Sequence, residues 1–285
     1  MRRSTGFTLI ELIVVITVAG IIAVMMSVLV GRQMSGYVQL QQRAQLVQMA
    51  DSALQKIALD IHRAVPNSVR VNGNYLELVP VVLAAPYRSE EDASGTSDKL
   101  DFSTADASFD VLADMISSSQ AFSGGQVVVY NLGLTNGGAP VLGANLYASN
   151  PSAQAHVISS PGVSVTNNGA QDVVSLDTAH QFSQRSPNQK MYLVNGAITY
   201  HCDAANGTLI RYGNYAIQES QPTNAGASPL SSAADATLAN QVSNCVLRYS
   251  SGSLARNAVV SLQLTLSDGE QSTTLMKQVQ INNVP

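Results

Sequence analysis

Tryptophan is absent from this 285-residue chain, and phenylalanine occurs only 5 times. A large aromatic groove is therefore not expected. Cysteine occurs twice and histidine 4 times, too few for a cysteine-rich zinc module or a disulfide-dense scaffold. Charged residues make up 12% of the chain, about half the usual share. The 15 basic residues are spread thinly against 19 acidic ones, for a net charge of -4. That leaves no electrostatic footprint for nucleic acid. With 20 Gly and 10 Pro, the chain is not collagen-like. No G-x-S-x-G, H-E-x-x-H or P-loop occurs, so neither an enzyme nor a cofactor or metal site is expected. Asp172, Asp177 and His180 form a small cluster, but nothing in their spacing holds them together, and Asp177 to His180 reads as turn.

What the chain does have is concentrated at its start. Met1-Arg2-Arg3-Ser4-Thr5-Gly6 is a short basic leader. From Phe7 to Gly31 run 25 residues with one charge, Glu11, and from Leu12 to Gly31 there is none. At 1.5 Å per residue, 20 helical residues cover roughly 30 Å, the thickness of a bilayer core. Arg2 and Arg3 on the near side place the leader in the cytoplasm by the positive-inside rule. An ordinary signal peptide fits less well, because the run is long and Ala23 is followed by Val24, Met25 and Met26 without an A-x-A site. A plain anchor leaves Glu11 unexplained, since a carboxylate in lipid is expensive.

Gly6-Phe7-Thr8-Leu9-Ile10-Glu11, with the basic leader before it and the apolar run behind, resembles the class III leader of type IV prepilins and type II secretion pseudopilins. The resemblance implies a prepilin peptidase that cuts between Gly6 and Phe7 and methylates the new Phe7 amine. Gly6, lacking a side chain, suits close approach of such an enzyme to the backbone. Losing Arg2 and Arg3 would leave 13 basic and 19 acidic residues, near -6. In the family, the carboxylate at the position of Glu11 pairs with the N-terminal amine of a neighbouring subunit. A buried pair of that kind sets register, while a lone carboxylate is costly. The competing reading places Glu11 at the membrane interface.

Beyond Arg32 the period becomes helical. Tyr37, Leu40, Ala44, Val47, Ala50, Leu54, Ile57 and Ile61 form a stripe, widened by Leu46, Ala53 and Ala58. Pro66 ends it. One helix from Phe7 to about Ala64 is expected, its second half lying on a sheet. The remainder reads as short antiparallel strands. Lys190–Val194, leading through the turn signal Asn195-Gly196 into Ala197–Tyr200, then Thr208–Tyr212, and a last hairpin, Ala258–Leu266 with Thr273–Ile281 around Asp268-Gly269, are the clearest. Leu142–Tyr147 is a weaker candidate. The fold class is thus α+β and type IV pilin-like: a long N-terminal helix packed on an antiparallel β-sheet head. The expected divisions are a cleaved leader (1–6), a membrane or filament-core helix (7–31), an amphipathic continuation (32–65) and a β-rich head (66–285). Within the head, 89–108 reads as an acidic loop and 218–239 as a polar one. The acidic run offers oxygens that suit calcium, but its spacing is not that of an EF-hand. Cys202 and Cys245, 43 positions apart and both beyond the membrane, are expected to pair in an oxidising compartment. His201 beside Cys202 suggests no shared site, because adjacent strand positions face opposite ways. His62, His156 and His180 look isolated.

Tyr192-Leu193-Val194-Asn195-Gly196, Leu209-Ile210-Arg211-Tyr212 and the closing Val279 to Pro285 resemble the heads of the large J-type pseudopilins and of minor prepilins of the mannose-sensitive haemagglutinin (MSHA) pilus. What the resemblance implies is a minor filament subunit that primes or caps assembly. The alternatives are a type II secretion pseudopilin and an adhesive tip module with a surface or glycan ligand. Expected partners are the prepilin peptidase, other minor and major pilins, and the inner-membrane assembly platform. The chain would cross the inner membrane once, head in the periplasm, and after processing would sit in the pilus at the cell surface.

Overall fold

A computed structural model describes residues 8–93, 95–116, 122–149, 154–167, 171–252 and 257–281. Helix α1 runs unbroken from Leu9 to His62, 54 residues or roughly 81 Å. Thr8 is its N-cap in a capping box: the Glu11 backbone N–H donates to Thr8 Oγ1, and the Thr8 N–H donates to the Glu11 carboxylate. Arg63 closes the far end, and Pro66 prevents its continuation.

The strands in chain order are β1 (Arg70–Asn72), β2 (Tyr75–Leu78), β3 (Val81–Pro86), β4 (Asp106–Val111), β5 (Phe122–Ser123), β6 (Gln126–Val129), β7 (Thr135–Asn136), β8 (Ala139–Pro140) and β9 (Val163–Asn167). Then come β10 (Asp172–His180), β11 (Lys190–Val194), β12 (Ala197–Asp203), β13 (Thr208–Tyr215), β14 (Ala234–Asn240), β15 (Val242–Ser250), β16 (Ala258–Ser267) and β17 (Ser272–Ile281). They form several antiparallel sheets rather than one. The orders are β1-β2-β12-β13-β14, β4-β10-β9-β5, β3-β11-β6 and β15-β16-β17, with the ribbon β7-β8 beside them.

The second half of α1 lies in the core between the five-stranded sheet and the β15-β16-β17 sheet. Leu46, Ala50, Ala53, Leu54, Ile57, Ala58 and Ile61 pack there with Leu76, Leu78, Ile198, Tyr200, Leu262 and Leu264. Small residues at 50, 53 and 58 let the helix approach closely. Cys202 on β12 is bonded to Cys245 on β15, with Cα atoms 6.5 Å apart, so the disulfide ties one sheet to the other. Closing a loop of 43 positions contributes roughly 4 kcal/mol in the chain-entropy model.

Several expectations change. The apolar stripe meets the head only from Leu46 onward; Tyr37, Leu40 and Val47 are exposed. Asn195-Gly196 does not close a hairpin: it carries the chain from β11 in one sheet to β12 in another. Gly196, at φ +130, lies against the Tyr215 carbonyl, where a side chain would not fit. Leu142–Tyr147 is a run of turns, because Asn145 accepts the Tyr147 N–H two residues on. Asp177 to His180 is the end of strand β10, not a turn. The polar stretch 218–239 is not a loose loop. Leu230 is buried as the first residue of a short 3-10 turn, Leu230–Ser232, and residues from Ala234 onward form β14. The acidic stretch 89–108 already contains the start of β4 and the buried Leu100. Its backbone is held by carboxylates: Asp106 within it accepts from the Asp101 N–H at 2.9 Å, and Asp110, just beyond it on β4, accepts from the Asp98 N–H at 2.8 Å. Among the described residues, no group of three metal-ligating side chains converges there or elsewhere.

Candidate assembly site

Leu9–Val30 is 22 residues long, apolar enough to cross a membrane, and wholly exposed. Its polar groups are satisfied within the helix. Thr17 Oγ1 donates to the Ile13 and Val14 carbonyls and Ser27 Oγ to the Val24 carbonyl. That is what an apolar surround requires. Past Val30 the apolar surface continues at Met34, Tyr37, Val38 and Leu40 before the head begins. So over the first 37 residues of α1, Leu9 to Gln45, no described side chain is buried in the head. A surface this apolar needs lipid or other helices against it.

Glu11 sits two residues in from the start of this surface. Its carboxylate accepts from Thr8 Oγ1 at 3.2 Å and from the Thr8 N–H at 3.4 Å. Within one chain, therefore, Glu11 completes a cap and has no cationic partner among the described residues. The leader residues Arg2, Arg3 and Gly6, and the expected methylation position Phe7, lie outside the described residues.

At its other end α1 is locked to the head by Asp60, 5% exposed. Tyr200 Oη donates to Asp60 Oδ2 at 2.5 Å, Arg211 Nε to the same oxygen at 2.9 Å, and Lys56 Nζ to Oδ1 at 2.8 Å. Burial alone would push this carboxyl up. Lys56, Tyr200 and Arg211 outweigh it and hold Asp60 below the ordinary carboxylate value. The register of β12 and β13 sets Tyr200 opposite Arg211, so two strands present both donors to one helix turn.

A second buried charge holds the head's outer layer. Glu77 on β2 accepts from Arg70 Nε at 2.5 Å and from Tyr215 Oη at 2.9 Å. Burial pushes its pKa up despite these donors. Arg70 also donates to the Gln218 and Glu219 carbonyls, and its guanidinium stacks 3.6 Å over the Tyr147 ring. One side chain thus fixes β1 to β2, to the turns around Tyr147 and to the polar stretch after β13. Neither Asp60 nor Arg70 stood out in the sequence. Their partners lie as far as 151 positions away, and a lone Asp in a helix looks like a solvated face.

His201 is half-buried and stacks on Tyr75, with ring centroids 4.1 Å apart, while Cys202 turns inward to its disulfide. His156 and His180 are not isolated: the His180 ring meets the His156 carbonyl at 3.2 Å.

Residues 1–27 match the family model for the prokaryotic N-terminal methylation motif. No curated protein and no solved structure matches the chain. The motif supports a type IV pilin- or pseudopilin-like protein, anchored by its N-terminal helix and processed by a prepilin peptidase. The pilin-like family to which the motif points is structural, and its members have pilin partners generally.

Proposed function

We propose that this chain is an MshO-like minor prepilin of an MSHA-type type IV pilus, whose N-terminal helix inserts in the filament core and whose head helps initiate or cap assembly. One conjunction supports the reading. A methylation motif over residues 1–27 leads into a continuous helix that is bare and apolar through Val30 and locked into its own head from Leu46. Such a helix is built to be covered by other subunits at one end and to carry a rigid load at the other. In this reading Arg2 and Arg3 hold the leader in the cytoplasm. The peptidase cuts after Gly6 and methylates Phe7, and Glu11 then trades its cap for a neighbour's N-terminal amine. The large head argues for low copy number, because some 220 residues beyond Pro66 would crowd a repeating lattice. The inner-membrane assembly platform would draw the processed chain from the bilayer into the filament.

Intact mass and N-terminal sequencing, on sheared surface filaments and on membranes, test this. A chain beginning at methylated Phe7 in the filament fraction is expected. A chain beginning at Met1, or cut well after Ala23, would break the prepilin reading. A chain beginning at Phe7 but confined to a secretion apparatus would make it a type II secretion pseudopilin. A tip adhesin would require that filaments from a head-loop variant assemble normally yet no longer bind a surface or glycan.

A further inference from the structure

Residues 154–159 form no named strand, yet they hold two sheets together. On one side the His156 N–H donates to the Gln181 carbonyl at 3.0 Å, and the Ser183 N–H donates to the His156 carbonyl at 3.2 Å. On the other, the Val129 N–H donates to the Val157 carbonyl at 2.8 Å, and the Ser159 N–H to the Val127 carbonyl at 2.9 Å. The segment is therefore a splice between the end of β10 and strand β6. It buries Val157 and lines a cleft of about 590 Å³ with His156, His180, Gln126, Thr178 and Glu219.

The splice is shaped by a side-chain bond inside it. The Ile158 N–H donates to His156 Nδ1 at 3.1 Å. The imidazole must then carry its proton on Nε2, which is buried with no hydrogen-bond partner among the described residues. A second proton has only Nδ1 to occupy, and there it would face an N–H already pointing at it. Protonating the ring and keeping the turn at 156–158 exclude each other.

The surroundings make the protonated ring worse. His180 lies on the other side of the His156 carbonyl, to which its own ring nitrogen donates. It also sets its edge against Phe182, with ring centroids 4.7 Å apart. Asp106, opposite His180 on β4, turns its oxygens to the Asp101 and Ser108 N–H groups. Tyr147, on the cleft wall, gives its hydroxyl to the Ser68 carbonyl. Glu219 lines the far side of the cleft, and among the described residues no carboxylate forms an ion pair with either histidine.

We infer that His156 is the pin of an acid-opened joint: taking up a proton releases residues 156–159 from β6 and from the end of β10, while the rest of the head stays folded. Burial, and then the neighbouring His180, lower the pKa of His156 to about 4 from its ordinary 6.5. The closed joint therefore keeps its full stability above pH 6.5 and loses it as the medium acidifies toward pH 4. The core around α1, with Asp60 and the disulfide, lies in a separate cluster and does not share the splice.

Amide hydrogen exchange, read by mass spectrometry on the full chain in detergent micelles and corrected for intrinsic rate, tests this from pH 7 to pH 4.5. Peptides covering 127–129 and 156–159 should lose protection by roughly thirtyfold at pH 5. Peptides from β16 and α1 should hold theirs. His156→Asn places an amide oxygen where Nδ1 was, able to accept the same N–H two residues on but unable to titrate. H156N should keep the splice protected across the range, and His180→Gln should leave most of the acid response in place. The joint is refuted if the wild-type splice keeps its protection at pH 4.5, or if all peptides lose it together. An acid response in H156N equal to that of the wild type would also refute it.

Discussion

Glu11 has two jobs open to it, and one substitution separates them. As the third residue of the helix it completes the capping box with Thr8. As the one carboxylate in the apolar surface it is the proposed partner of a neighbour's amine. Glutamine fills a capping box as well as glutamate does, but it carries no charge. Glu11→Gln should therefore be processed normally and keep its helix start, while its recovery in filaments falls by tenfold or more, since a loss of about 1.4 kcal/mol in pairing is already tenfold. Quantitative blotting of membrane and sheared fractions at native expression would read this. Wild-type recovery would leave Glu11 with the cap alone. Arg70 poses the opposite case, a charge whose loss strands another. Replacing it with methionine keeps the bulk over Tyr147 but leaves Glu77 buried without its cation. R70M should destabilise the chain by about 3–5 kcal/mol, measured by urea denaturation in micelles. Adding Glu77→Gln should recover part of that loss. An R70M chain as stable as the wild type would mean that Glu77 is protonated and needs no cation.

Asp60 joins elements rather than residues: one carboxylate takes a helix turn, β12 and β13 together. Asp60→Asn should weaken the head by about 3 kcal/mol at neutral pH. The pH dependence has a definite sign. The folded-state pKa lies below the ordinary 3.8, so the stability this group contributes is present above pH 3.8 and is lost as pH falls through the folded value. D60N cannot titrate there, and its stability below pH 3.8 should fall less steeply than the wild type's. Parallel acid limbs in the two proteins would remove Asp60 from that role. The same anchor shows what the sequence does and does not disclose. The 3.6 period over Ala50–Ile61 identifies the helix and the face it buries, because both are local. The strands at Lys190–Val194 and Ala258–Ser267 are legible for the same reason, through apolar runs and alternation. The strand β14 is not: Ala-Asp-Ala-Thr-Leu-Ala-Asn has almost no apolar face to alternate, and it exists because β13 offers it an edge. Pairing across more than a hundred positions decides the partition into separate sheets and brings Arg211 to Asp60, and no window of residues carries that information.

At the scale of the whole molecule, α1 is two objects in one rod. Through the first 37 residues of α1 no side chain among those described is buried, so this stretch adds little to the head's core. From Leu46 the same helix is the centre of the largest core. The motif for the N-terminal half was legible residue by residue. The point at which the head takes hold was not, because Tyr37, Leu40 and Val47 continue the stripe that Leu46 and Ala50 bury. That division predicts the behaviour of a chain lacking residues 1–33 and beginning at Met34. If the bare half serves only lipid or other subunits, its removal deletes no intramolecular contact of consequence. The shortened chain, exported so that Cys202 and Cys245 can pair, should be soluble without detergent. Its melting temperature should lie within about 3 °C of the full chain's, the shift expected for less than 1 kcal/mol in a domain of this size. Residues 34–45, none of whose described side chains is buried, should fray and exchange their amides quickly. It should also be unable to enter a filament, because nothing would remain to bury in the core. A shortened chain that melts far lower would mean that the exposed helix supports the head in a way its side chains do not reveal. Incorporation into filaments without the helix would remove the basis for assembly through α1, leaving the head as the assembling part.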